Sequence, residues 1–436
     1  MKRGGGPENN GEIKAEGEGA SNGEWGSLLN SQNERLHALS LSSSPPLLLS
    51  PPVSPSLCTS LPPPLRSSAP VSDDHCSGNG LSDLSPGRRN RQSVSKLSPA
   101  ILSHLSQLSP ACMSEIIFLG TGCSTGIPRL TCVLAWTGQA CDTCRLALSL
   151  PPEINKNYRC TPSAVIRFAR EDGRSRFILI DAGKTFREQV IRWFPKFDLG
   201  RVDAILLTHH HADAILGLDD VRDVQPRDPV SGRVLPLPVY LSATCMSHVA
   251  KQFPYLAMRH DPVTGDVPRR VSQLDWRIIE ESPHVVYDVE GLLIRPLPVM
   301  HGEDLVALGF LIDNGRQRIA YISDVSRLLP ETERQLTTTA TSAGTEGEKE
   351  REVQPGKEID LLVLDCLLPW GSHPTHMCLP ECLDIIRKLR PAQTLLLGMS
   401  HEIEHELINR KLLELAHSEG IHVALAYDGL RVPIML

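Results

Sequence analysis

From residue 115 onward, apolar runs alternate with polar and turn-forming residues, and their lengths and spacing sort them into strands and helices. Short runs rich in Val, Ile, Leu and Phe, bounded by Gly, Asp, Asn or Pro, predict strands at 115–119, 164–168, 177–181, 202–207, 239–241, 292–299, 306–312, 319–323, 361–366, 394–397 and 422–426. Longer amphipathic stretches predict helices at 185–194, 243–253, 379–389 and 405–418. The early strands follow one another as hairpin-like neighbours, and helices fall between the later ones. This order predicts an α+β fold of the αββα kind, with two mixed β-sheets face to face and helices on the outer faces. A doubly wound parallel sheet fits less well, because strict alternation and a phosphate-binding glycine motif are both missing. The Thr-, Glu-, Lys- and Gly-rich stretch 332–358 interrupts two strands and reads as a solvated insertion loop.

Composition changes this picture at the N-terminal side. Residues 1–111 are rich in Ser, Pro, Gly and Leu and show no helical or strand period, so they cannot bury enough apolar surface to offset their ordering entropy. The expected organisation is a disordered tail over 1–111 and one folded domain over 112–436. Ser44, Ser50, Ser54, Ser85, Ser98 and Ser109 each precede proline, and Ser93 follows a basic cluster. These pairs are common in any Ser/Pro-rich linker. As a hypothesis, they are kinase sites that add charge to the arm, which phosphopeptide mapping from native cells would reject by finding the serines unmodified.

The formal net charge of −7 argues against a general nucleic-acid-binding surface. The first twenty residues carry Glu8, Glu12, Glu16 and Glu18, unlike a signal or transit peptide, and no apolar run is long enough to span a bilayer. The expected setting is cytoplasmic, with the nucleus left open. Twelve cysteines without a secretory signal then favour metal binding over disulfides.

Chemistry enters where apolar runs stop. The run 202–207 ends at Thr208-His209-His210-His211-Ala212-Asp213, the run 292–299 at His301, the run 319–323 at Asp324, and the run 394–397 at His401. One such histidine is ordinarily a hydrogen-bonded loop residue. Several at the ends of separate strands point to a metal centre on one rim of the sheets. Imidazole and carboxylate suit zinc, manganese or iron, and an open position holds a water whose pKa the metal lowers. A second cluster, Cys132 with Cys141-Asp142-Thr143-Cys144, has the spacing of a closed thiolate zinc site. A thioredoxin-like redox pair is disfavoured, because these cysteines do not sit at a strand-to-helix turn.

These motifs, with Phe118-Leu119-Gly120-Thr121-Gly122-Cys123, Leu179-Ile180-Asp181-Ala182-Gly183, Pro298-Val299-Met300-His301, Asp365-Cys366, Pro374-Thr375-His376 and Met399-Ser400-His401, resemble the metallo-β-lactamase superfamily over nearly all of 115–436. Within it they resemble the branch of the phosphoribosyl cyclic phosphate phosphodiesterase of phosphonate breakdown. The resemblance implies first-metal ligands at His209, His211, His301 and Asp324, with Asp213 and the bridging Asp324 serving a second metal. Two second-metal histidines of the branch fall at Ala214 and Gly398. It also implies a structural zinc held by Cys132, Cys141, Cys144 and His401. A rival register makes His401 a catalytic ligand. His210 is a further candidate ligand, disfavoured because both its neighbours already face the metal. His376 matches a phosphate-contacting or proton-donating histidine, or is an ordinary polar loop residue.

The expected function is a metal-dependent hydrolase acting on a small phosphodiester or cyclic phosphate. Asp213 and His376 would be catalytic, with structural zinc and catalytic manganese or zinc. The rivals are a thioester or lactone hydrolase of the same fold, and a non-catalytic binding protein with only the zinc knuckle occupied, as the pyrroloquinoline-quinone biosynthesis B protein warns. A tRNA 3′-processing nuclease is disfavoured by Ala214 and the negative charge. The expected partners are the small-molecule substrate and kinases at the tail, with no nucleic acid, no membrane, and a homodimer left open.

Overall fold

Strands that are apolar on both faces need cover on both faces, and this chain supplies it with two sheets and flanking helices. The computed structural model describes residues 114–134, 141–170, 173–257, 271–337 and 358–436, all within the unit Gln107–Leu436. The expected tail and its Ser-Pro sites lie outside the described residues.

In chain order the strands are β1 (Ser114–Gly120), β2 (Ser163–Ala169), β3 (Ser175–Ile180), β4 (Ala204–Leu206), β5 (Leu237–Leu241), β6 (Leu274–Ile278), β7 (Tyr287–Val289), β8 (Leu292–Met300), β9 (Val306–Asp313), β10 (Arg318–Ile322), β11 (Arg327–Leu328), β12 (Leu361–Asp365), β13 (Thr394–Leu397), β14 (Val423–Leu425) and β15 (Arg431–Ile434). One sheet runs β15-β1-β2-β3-β4-β5-β6, and the other runs β11-β8-β9-β10-β12-β13-β14 with β7 beside β8. Both follow the same plan. β1, β2 and β3 are antiparallel before β4, β5 and β6 continue parallel. Likewise β8, β9 and β10 are antiparallel before β12, β13 and β14 continue parallel. β15 returns to the first sheet and pairs with β1.

The period of two sorts the side chains. Ile116, Phe118, Ile178, Ile180 and Leu206 meet Leu308, Phe310, Ile312, Tyr321 and Val363 between the sheets. Their neighbours Ile117, Leu119, Leu179 and Ile205 face outward onto Phe186, Trp193 and Val249 of helices Phe186–Phe197 and Ala243–Gln252. On the other side Leu362, Leu364 and Leu396 pack on Ile386 and Leu412 of helices Leu379–Leu389 and His405–Glu419. The αββα expectation therefore holds, and the predicted strands and helices all form within a few residues of their expected bounds.

Local chemistry sets the helix ends. The Glu381 carboxylate accepts the Cys378 N–H at 2.8 Å in a capping box that starts Leu379–Leu389. Glu404 accepts the N–H groups of Glu406 and Leu407 and starts His405–Glu419, which Gly420 ends in the left-handed conformation. The stretch from Thr332, expected as loop, begins inside helix Pro330–Thr337, where Thr332 and Leu336 are buried. Its polar composition hid those two inward positions. Residues 338–357 lie outside the described residues. Among the described residues no helix is long and apolar enough to cross a membrane.

Candidate metal centre

The ends of strands from both sheets meet at one rim. After β4 the chain passes Thr208 and His209 and enters the short helix Ala212–Ile215, whose first turn carries Asp213. Gly183 lets this loop approach. A Cβ there would lie 1.7 Å from the Asp213 carbonyl oxygen. His301 follows β8, and Asp324 follows β10 in the left-handed region at φ 50°, a conformation that aspartate tolerates better than most residues and that is common at functional sites.

One ring nitrogen each of His209, His211 and His301 lies within 4.8 Å of the others. His209, Asp213, His301 and Asp324 are all buried. The orientation of each ring is fixed from behind. His301 Nδ1 donates to the Thr375 carbonyl at 2.7 Å, which leaves Nε2 facing His211 Nδ1 at 3.2 Å. Thr208 Oγ1 donates to Asp181 Oδ2 at 2.8 Å and stands 2.8 Å from His209 Nδ1. A hydroxyl has one proton, so it accepts from His209 Nδ1–H, and the Nε2 lone pair is free. That Nε2 is buried without a hydrogen-bond partner, and Asp213 Oδ1 stands 3.9 Å from it.

The electrostatics ask for a cation. Burial, then the neighbouring histidines, hold His209 well below its ordinary pKa, so the ring is neutral. Burial and then His376 lower His301 as well. Burial, Asp213 and Asp365 push the Asp324 carboxyl well above the carboxylate range. Buried carboxylates gathered together are costly, and His376 beside them offsets only part of that cost. Neutral imidazoles at His209 and His301, the orphaned His209 Nε2 and the crowded carboxylates together fit a divalent metal ion.

His376 stands at the same centre. A ring nitrogen of His376, one of His301 and an Asp324 oxygen lie within 4.8 Å of one another. His376 Nδ1 donates to Asp365 Oδ2 at 2.8 Å. Burial lowers this imidazole, but Asp365, then Asp324 and Asp213, outweigh it and carry its pKa to about 9. His210 stacks on His248 with ring centroids 3.7 Å apart, outside the ligand group. Ala214 is buried and offers no donor.

The cysteines converge separately. Ligand atoms of Cys132, Cys141, Cys144 and His401 lie within 4.8 Å of one another, with His401 Nδ1 at 3.4 Å from Cys132 Sγ and 3.2 Å from Cys141 Sγ. The Arg129 N–H donates to Cys144 Sγ at 3.3 Å and the Cys144 N–H to Cys141 Sγ at 3.4 Å. Burial pushes the Cys144 thiol up to about 12, against the Arg129 N–H. Of the two registers left open for His401, the geometry has the one that joins it to the cysteines.

Sequence reasoning missed the residues behind the ligands. Asp365 ends β12 as the other candidates end their strands, and the same rule finds it. Asp181 directly follows β3, at φ 59°. Nothing in a sequence marks the Thr375 carbonyl.

The family model for the beta-lactamase superfamily domain matches residues 176–399. An octanoyltransferase of Porphyromonas gingivalis is 27% identical over 314 residues, which cover 72% of this chain and 50% of that protein. The chain thus spans about half the length of the curated relative it matches. Among solved structures, a diphosphatase of the PhnP family is 26% identical with a TM-score of 0.53, covering 74% of this chain and 97% of its own. Zinc-bound PqqB from Methylobacterium extorquens is 16% identical with a TM-score of 0.50, over 73% of this chain and 100% of its own, a likeness of fold. With that match, its two mixed sheets and its ligand-bearing rim, the chain belongs to the metallo-β-lactamase superfamily.

Proposed function

We propose that this chain is a metal-dependent hydrolase of small phosphodiesters, cyclic phosphates among them. The observation that carries the reading is the meeting of nitrogens of the buried His209 and His301 and the exposed His211 on one rim, with the His209 Nε2 lone pair left open. His209, His211, His301 and Asp324 would hold a divalent ion, manganese or zinc, which when bound supplies Lewis acidity and a hydroxide nucleophile near neutral pH. Asp213, beside His209 Nε2, orients the attacking water and takes its proton. Thr208 and the Thr375 carbonyl keep the ring tautomers that ligation needs. Similarity to a diphosphatase at 26% identity supports phosphorus over carbonyl carbon as the centre attacked. Cys132, Cys141, Cys144 and His401 would hold a structural zinc.

The test is kinetic. Metal-loaded protein is assayed against cyclic phosphates, linear phosphodiesters, thioesters and lactones, beside His209→Ala. The expected result is turnover of a phosphodiester that falls by roughly 10³-fold in the variant. Full turnover by a folded His209→Ala protein overturns the assignment, and preference for lactones or thioesters overturns the substrate class.

A further inference from the structure

The loop that presents Thr375 to His301 has no backbone ladder of its own. Its feet are tied by the Leu367 N–H to the Met377 carbonyl at 2.8 Å and by the Leu379 N–H to the Leu368 carbonyl at 2.9 Å. Among the described residues, 369–376 make no backbone-to-backbone hydrogen bond. Side chains therefore set the shape of this loop. The half-buried His373 closes its tip, with Nδ1 at 3.4 Å from the Thr375 nitrogen and 3.2 Å from Thr375 Oγ1. A backbone N–H only donates, so Nδ1 is the acceptor and the ring proton sits on Nε2. The pattern is that of an Asx turn, a side-chain acceptor taking the N–H two residues on, with an imidazole in place of a carboxylate or amide. Thr375 is held from the other side as well. Its carbonyl accepts His301 Nδ1–H at 2.7 Å, the contact that leaves His301 Nε2 facing His211. Thr375 also lies against the turn after His301, where a Cβ on Gly302 would stand 3.2 Å from Thr375 Cγ2.

We propose that His373 is a positioning residue of the metal centre: by accepting the Thr375 N–H it aims the Thr375 carbonyl at His301, and so holds His301 in the tautomer whose Nε2 lone pair is free. This rests on the metal-dependent reading above and deepens it by naming what sets one ligand. His373 acts through Thr375 and is not itself a ligand. Fixing the Thr375 N–H fixes the peptide plane before its Cα, and the carbonyl is one dihedral away from that plane. Without the acceptor the plane turns, and the carbonyl leaves the line of His301 Nδ1. His301 then divides between its two tautomers, and the one with the proton on Nε2 has no lone pair to offer at the rim. Phenylalanine at 373 keeps a ring and removes the acceptor. Asparagine removes the ring and keeps an acceptor, because its Oδ1 takes the N–H two residues on.

The experiment titrates manganese into the full chain carrying its knuckle zinc, for wild type, His373→Phe and His373→Asn. Free manganese is read by electron paramagnetic resonance, zinc is counted by plasma mass spectrometry, and the His301 tautomer is read by nitrogen-15 NMR before manganese is added. A second series uses zinc, read with a chelating dye. Wild type is expected to bind the ion with His301 wholly in the Nδ1–H tautomer. His373→Phe is expected to bind it about 10- to 100-fold more weakly, with His301 divided between tautomers and the knuckle zinc retained. His373→Asn is expected to restore affinity and tautomer together. Wild-type affinity in His373→Phe overturns the inference and leaves the proposed hydrolase standing. Weaker binding with an unchanged His301 tautomer also overturns it, because that is the mark of a loop merely loosened. An asparagine variant as weak as the phenylalanine one does the same. If His373→Phe loses the knuckle zinc, His373→Ala, which leaves no ring to refit, decides by the same criteria. A wild type that takes up neither manganese nor zinc beyond the knuckle overturns both readings.

Discussion

Replacing Thr208 by valine keeps the shape of a fully buried side chain and removes one hydroxyl that serves two partners. The hydroxyl donates to Asp181 Oδ2 and accepts from His209 Nδ1, each at 2.8 Å. Asp181 would keep only the Thr208 N–H, also at 2.8 Å. Its carboxyl, which burial has already lifted to about 8 against those two donors, would rise further. Above that pH the hydrogen bond is to a charged carboxylate and contributes about 1.5–3 kcal/mol, and a buried N–H left without an acceptor costs about 1–3 kcal/mol. The expected loss is therefore roughly 3–5 kcal/mol, a fall in melting midpoint of roughly 5–15 °C for a domain of this size. Metal binding should suffer separately. Without the hydroxyl nothing holds the proton on Nδ1, and loss of such a partner weakens binding by about 10- to 100-fold. Thr208→Ser keeps the hydroxyl and loses only a methyl, so it should restore most of the affinity. Thermal melting of the chelator-treated protein reads the first effect, and competition with a chelating dye reads the second. If Thr208→Val binds the catalytic ion as tightly as wild type does, the hydroxyl does not set the His209 tautomer and the reasoning fails.

Cys141→Ser with Cys144→Ser should remove one zinc per chain and lower the melting midpoint while the histidine-bound ion stays, measured by metal analysis and calorimetry; equal loss of both metals would show that the sites are not independent. Gly183→Ala should displace the Asp213 loop, because the new Cβ would stand 1.7 Å from a backbone oxygen that cannot swing aside. The cost of such overpacking is about 3 kcal/mol or more, and wild-type stability in urea would refute it. Asp428 offers a pH test away from the metal centre. Burial lifts its carboxyl from an ordinary 3.8 to about 7, against the N–H of Cys160 and the hydroxyl of Thr121. Between those values the folded protein keeps a proton that the unfolded chain has lost. The stability is thus fully present below about pH 4 and is lost as pH rises through 7, by roughly 4 kcal/mol at most. Asp428→Asn should flatten that slope in urea titrations at pH 5 and 7.5, and an unchanged slope would assign it to another group.

The strands legible in the sequence are those buried on both faces. β1, β5, β10 and β12 are buried at every position, and their apolar stretches 116–119, 237–241, 319–322 and 361–364 are broken by polar residues only at their ends. Among those that escaped notice, β6 is half exposed and carries Asp275 and Arg277, and β15 carries Pro433. Both are edge strands, where one side has no partner and the residue pattern relaxes. β7 and β11 are too short to show any period. Among candidate site residues, His209, His211, His301 and Asp324 were legible because each follows an apolar run directly. The relation among His373, Thr375 and His301 was not. It depends on hydrogen bonds made by the Thr375 backbone, and a backbone group leaves no mark in the sequence.

The same geometry explains why the centre draws on residues so far apart in the chain. Each sheet turns from antiparallel to parallel, and the two are packed so that the end of β4 meets the ends of β8, β10 and β12. The first half of the chain brings His209, His211 and Asp213, and the second brings His301, Asp324 and His376. A backbone hydrogen bond from the Leu308 N–H to the Thr208 carbonyl, 2.8 Å long, ties the two sheets one residue before His209. Neither half holds a complete ligand set, so the inter-sheet packing of Phe118 and Leu206 against Leu308 and Phe310 must be in place before the ligands converge. The candidate metal centre is therefore a consequence of the sandwich closing, and its candidate ligands report on that core.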